Sequence, residues 1–170
     1  MTRGENMHQK IRHISVRGVI FDKNSVLIVK HAHKNRQPFW CFPGGKVEQG
    51  ETIPEALKRE LKEETNIEIE PGNILFIQDF IHEHLLELFF RCEKISGTGE
   101  LGYDPEVMGS PVLIDIRWAN INELSMMPVY PLALSKKISK GISISGIAFT
   151  QLYKKEELKS SDEDFNSLKS

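Results

Sequence analysis

The stretch GGKVEQGETIPEALKRELKEETNI, Gly44 to Ile67, decides how the rest of the chain is read. Its second half predicts a helix over about 52–65. Thr52 is a good N-cap, and Glu55 three residues later completes a capping-box pattern. Pro54 falls in the first turn, where a missing N–H costs little. Ile53, Leu57 and Leu61 form an apolar stripe at a spacing of four. Asn66 suits the left-handed position that ends a helix.

On that helix Glu60, Glu63 and Glu64 are three and four positions apart and share one side, next to Arg59. Each like-charge pair costs an isolated helix about 0.2–0.5 kcal/mol. Arg59 is a single charge, and Lys58 and Lys62 point round the side. A solvated helix laced with ion pairs such as Glu55–Arg59 is one account. A divalent cation held by the carboxylates is the other, and their hard oxygen donors suit Mg²⁺ or Mn²⁺. The Gly44–Gly45 turn in front favours the second. Glycine lets backbone approach a ligand closely and can present a carbonyl to a metal.

The remainder of the chain fits a single domain. It has 170 residues, 39% hydrophobic and 27% charged, and reads as soluble and globular. A formal net charge of −2 gives no basic footprint for a nucleic-acid polymer. No run approaches a membrane span, and MTRGENMHQK lacks a signal peptide's apolar core, so a cytoplasmic address is expected. Cys41 and Cys92 read as buried, reduced thiols. Strands are expected at 11–21, 26–31, 39–42, 73–81, 85–94, 112–119 and 142–153. Polar loops are expected at 33–37 and 96–111, and a helix ending near Gly141. Residues 1–10 read as a loose arm, 1–153 as one domain and 154–170 as a charged flexible tail.

The 44–67 segment resembles the Nudix (MutT-like) box. That box runs Gly, five residues, Glu, seven residues, Arg-Glu, an aliphatic, any residue, Glu-Glu, any residue, Gly and an aliphatic. Here those places hold Gly45, Glu51, Arg59, Glu60, Leu61, Glu63, Glu64, Asn66 and Ile67. Only the last glycine departs, and asparagine is the next-best residue for a left-handed turn. FWCFPGGKVEQGE and IRWANINEL look like the family's approach strand and later Trp-bearing strand. The likeness covers about residues 12–140.

The resemblance implies an α/β fold: an α/β/α sandwich with a mixed β-sheet and a loop–helix–loop catalytic box. It implies a metal-dependent pyrophosphohydrolase acting on a nucleoside triphosphate or a nucleoside diphosphate linked to another group. Carried over, Glu60, Glu63 and Glu64 become metal-binding carboxylates. The Gly44 carbonyl adds a ligand, and Glu51 supports the box or ligates a second metal. Arg59 orients the glutamates, and Glu63 or Glu60 serves as general base. Some members take the base from a later loop, which draws attention to Glu83, Glu87, Glu100 and Glu106. Each of these reads singly as surface charge.

Weaker signals surround the box. Lys30, Lys34 and Arg36 precede the turn and could meet substrate phosphates beside Gly45, or could be a solvated loop. The His31/His33 and His82/His84 pairs read as loop or strand-end histidines rather than zinc ligands. Trp40 and Phe42 could stack a base but read as core. Tyr103 and Asp104 sit in the long loop. A non-catalytic nucleotide-binding regulator is the alternative of another class. An isoprenoid-diphosphate isomerase is a third, and would need a reactive cysteine beside the site. The first strand and 142–153 could each serve a homodimer.

Overall fold

The computed structural model describes residues 11–33, 36–102, 112–141 and 149–153, with backbone alone at His33, Arg36, Val112 and 149–153. Its strands are β1 (His13–Asp22), β2 (Ser25–His33), β3 (Arg36–Cys41), β4 (Gly44–Lys46), β5 (Glu68–Phe80), β6 (Leu85–Ser96), β7 (Val112–Asn120), β8 (Val129–Tyr130) and β9 (Phe149–Tyr153). Helix α1 (Ile53–Thr65) follows β4, and α2 (Leu132–Ser139) follows β8.

These strands form one mixed sheet in the order β8-β3-β2-β1-β6-β5-β9, with β4 beside β1 and β7 beside β2. The β1–β6, β3–β8 and β5–β9 pairs are parallel, and the others antiparallel. Both faces are covered, which is why the apolar runs are continuous instead of alternating. Val26 and Ile28 enter one core, and Leu27 between them enters the other. Phe89 likewise faces the first core, and its neighbours Leu88 and Phe90 the second. Helix α1 lays Ala56, Leu57 and Leu61 over the second core. Helix α2 lays Leu134 and Ile138 over the first. Each fully buried leucine contributes about 1.5–3 kcal/mol. The layering is the α/β/α sandwich expected from the box.

What positions the site is the divergence of β1 and β2. They pair only at the hairpin end, Phe21 with Val26 and Asp22 with Ser25. Beyond it β1 turns to β6 and β4, and β2 to β3 and β7. The strand β4 therefore lies along β1, with Gly44 opposite Arg17 and Gly45 opposite Val16.

Several boundaries differ from the sequence expectation. The helix was placed within a residue, and Thr52 and Glu55 form the full capping box. By contrast β5 starts at Glu68, not 73, because Glu68–Pro71 pair with β6 across a bulge. The 33–37 segment is not all loop, since Arg36 pairs with His33 in β3. The Gly44–Lys46 turn is itself a short strand. Residues 1–10, 142–148 and 154–170 lie outside the described residues.

Candidate active site at the glycine turn

Backbone geometry comes first. Gly44 has φ +136°, and a Cβ there would run into the Val16 carbonyl. Only glycine tolerates both the conformation and the approach. A Cβ on Gly45 would fall on the Glu60 carboxylate, so that carboxylate rests against bare backbone. Gly18 lets Leu61 close onto β1 in the same way, seating α1 against the sheet.

Arg59 gathers the carboxylates. Its Nε and Nη2 donate to the two oxygens of Glu51 at 2.6 and 3.0 Å. Its Nη1 donates to Glu60 at 3.0 Å and to Glu63 at 3.3 Å. Nη2 also donates to the Lys46 carbonyl at 3.1 Å. One guanidinium thus spans three glutamates and the strand in front of them. The Glu55–Arg59 pair does not form, and Glu55 is spent on the helix cap. Lys58 and Lys62 turn away to Glu70 and Glu68.

The third box glutamate behaves differently. Glu64 is 6% exposed, and its Oε2 accepts from the Gly44 amide at 2.7 Å. Its Oε1 stands 3.7 Å from His31 Nε2. On the other side of the turn Arg17 donates to the Gly44 and Phe42 carbonyls, and its Nε donates to Glu87 at 2.9 Å. Gly44 is therefore held through both its N–H and its C=O.

Electrostatics follow from this packing. Burial pushes the Glu60 carboxyl above the usual range, with Arg59 opposing. Hydrogen bonding to Arg59 holds Glu51 below it. Burial works against the Arg17 charge, but Glu87 and Glu64 outweigh it and raise its pKa. Burial pushes the Cys41 thiol up to about 12, Arg17 notwithstanding.

The donor set is all oxygen: Glu51, Glu60, Glu63, Glu64 and a glycine carbonyl. It fits a hard divalent cation by type. As the side chains stand, no three acidic, histidine or cysteine groups among the described residues converge to hold an ion. Arg59 takes both oxygens of Glu51 and one each of Glu60 and Glu63.

A family model for the NUDIX domain matches residues 11–138. The chain belongs to the Nudix family. Over 88 residues it is 42% identical to the 8-oxo-dGTP diphosphatase of Proteus vulgaris, covering 49% of this chain and 78% of that one. Over 97 residues it is 32% identical to the putative ADP-ribose pyrophosphatase YjhB of Bacillus subtilis. That match covers 52% of this chain and only 45% of the Bacillus protein. A crystal structure of a Nudix hydrolase from Nitrosomonas europaea superposes with a TM-score of 0.67 at 19% identity, over 86% of this chain and 81% of that one. An ADP-ribose pyrophosphatase from Streptococcus suis gives 0.62 at 18% identity, over 84% and 99%.

Of the Nudix-box residues expected from sequence, Gly44, Gly45, Glu51, Arg59, Glu60, Glu63 and Glu64 are brought together. Glu63 is the most open of the last three glutamates, at 31% side-chain exposure. Of the outlying candidates, Lys34 lies outside the described residues, and Arg36 is described only as backbone in β3. Lys30 is over the Trp40 ring at 5.5 Å. Glu83 and Glu100 are exposed, Glu100 accepting from Thr98. Tyr103, Asp104 and Glu106 lie outside the described residues.

Two expectations are corrected. Glu87 is not plain surface charge but is paired with Arg17 and largely buried. His31 is not at a strand end but is buried within β2 against Glu64. Arg17 was missed altogether. Its sequence signal was a lone charge inside the apolar run ISVRGVIF. For the isomerase reading, a cysteine does lie near the turn, but Cys41 is buried and stays protonated.

Among the described residues no helix is long and apolar enough to cross a membrane.

Proposed function

We propose that the chain is a divalent-metal-dependent pyrophosphohydrolase. It would cleave a phosphoanhydride bond in a nucleoside triphosphate or a nucleoside diphosphate derivative. The observation that carries this is the cradle in which Arg59 spans Glu51, Glu60 and Glu63 in front of bare glycine backbone. Relatives named for 8-oxo-dGTP and ADP-ribose support a nucleotide substrate.

Glu60, Glu63 and Glu64 would hold the ion together with the Gly44 carbonyl, and Glu51 would support them or take a second one. Mg²⁺ or Mn²⁺ bound there would neutralise phosphate charge and activate water. The chain's own residues do the rest. Arg59 keeps Glu60 and Glu63 aligned against their mutual repulsion. Glu64 and Arg17 fix the height of the glycine turn from either side. Glu63 or Glu60 accepts the proton of the attacking water, and Gly45 leaves room for the phosphates.

The test is turnover of a panel of nucleoside triphosphates, ADP-ribose, nucleotide sugars and dinucleoside polyphosphates, with Mg²⁺ or Mn²⁺. Glu63→Gln and Glu60→Gln are run alongside. Loss of several kcal/mol of transition-state stabilisation is expected, about 100-fold or more in rate. Unchanged turnover in both variants would refute the assignment. Nucleotide binding without any turnover in the natural chain would point to the regulator instead.

A further inference from the structure

Arg17 sets a largely buried positive charge against the carbonyl that the box would turn toward a cation. Its Nη1 donates to the Gly44 carbonyl and, at 3.4 Å, to that of Phe42. Strand pairing fixes this approach, since Arg17 on β1 stands opposite Gly44 on β4. A carbonyl oxygen has two lone pairs, so a guanidinium and an ion can share Gly44. They would then stand one oxygen apart, and like charges at that range repel strongly where water is scarce. The same charge reaches the carboxylates. Burial raises the Glu60 carboxyl, and Arg17 joins Arg59 in opposing that rise.

What offsets the Arg17 charge comes from a third strand. Glu87 on β6 stands opposite Ser15, diagonal to Arg17, and accepts from its Nε at 2.9 Å. Both side chains are largely buried, at 20% and 12% exposure. As a brace alone the pair is a poor choice, because a buried ion pair gains little over apolar residues of similar volume. Its place beside the glycine turn gives it another use.

We infer that Glu87 is the counter-charge that lets a divalent cation bind at Gly44, by cancelling the field of Arg17 there. Glu87 is then neither ligand nor general base, and it acts through Arg17. That role rests on the hydrolase reading, which puts the ion at the Gly44 carbonyl.

Calorimetric titration with Mn²⁺ in the absence of substrate tests this through the signs of three variants. Glu87→Gln keeps an acceptor for Arg17 without the charge, and should bind Mn²⁺ about tenfold or more weakly. Arg17→Gln removes the opposing charge and should bind about threefold or more tightly, with Glu64 and the β4 pairing still holding the turn. The double variant, neutral again, should return to within about threefold of the natural chain. A pair that only braces the fold would weaken binding in all three or in none, and either pattern overturns the counter-charge. If Glu87→Gln does not fold, the tightening in Arg17→Gln carries the test, and its absence overturns the counter-charge. Mn²⁺ binding that is lost in Glu60→Gln but unmoved by these variants would sink the counter-charge and leave the hydrolase's ion site standing. A natural chain that binds no Mn²⁺ would overturn both.

Discussion

Helix α1 has 13 residues, a complete capping box at Thr52 and a left-handed Asn66 at its end. Helix α2 has eight, starts after Pro131 and has no side-chain cap. Both cover a face of the same sheet. A helix of eight residues is far below what is stable alone, so α2 exists because Leu134 and Ile138 are buried beneath it. Helix α1 is specified locally as well. That surplus lets it carry Glu60, Glu63 and Glu64 together on the side that meets the glycine turn, an arrangement that weakens a helix. The difference teaches where function can be placed: on the element whose ends are fixed independently of its charged face.

Equal deletions in the two helices test this most severely. Leu61→Ala and Leu134→Ala each remove a fully buried side chain and should cost about 2–5 kcal/mol in urea unfolding. Well below the melting temperature, Leu61→Ala should also lose nucleotide hydrolysis and Leu134→Ala should keep it. Equal losses would end the distinction. Gly44→Ala should cost about 2–4 kcal/mol, from a strained φ and a collision with Val16 backbone. Gly45→Ala meets only the Glu60 side chain, so activity should fall further than stability. Thr52→Ala should cost ~1 kcal/mol by thermal melting, a loss with no counterpart at α2.

The smallest effect concerns Glu60. Its carboxyl is raised in the fold, so the native state binds that proton more tightly than the unfolded chain. Stability from this group therefore falls as pH rises from the ordinary carboxylate range through the raised value. Glu51 is lowered and works in the opposite sense, losing stabilisation as pH falls. Melting curves in chelator between about pH 4 and 7 should show Glu60→Gln gaining on the natural chain as pH increases. A constant difference would remove the burial argument.

The parts legible in sequence were those with local codes. Thr52, Glu55, Pro54 and Asn66 mark the ends of α1 within one turn each, and the box spacing delivered its glutamates to one place. What was not legible depends on pairing between distant strands. The start of β5 at Glu68 is fixed by β6 across a bulge. Arg17 and Glu87 meet only because β1 and β6 run parallel, so neither looked unusual beside its own neighbours. His31 on β2 and Glu64 on α1 likewise meet only in the folded chain. Arg59 also did more than its single charge suggested, since a planar fork with several donors can serve three carboxylates at once.

Glu64 has a further consequence. Its carboxylate takes the amide of Gly44, and its backbone carbonyl takes the amide of Gly102 at 2.9 Å, where the connection leaving β6 crosses the end of α1. A Cβ on Gly102 would strike the Glu63 carbonyl, so the crossing is as close as backbone allows. Two amides far apart in the chain thus hang on one residue. In deuterated solvent they should lose protection together, and a single pair of resonances would report whether the floor of the site is open or shut.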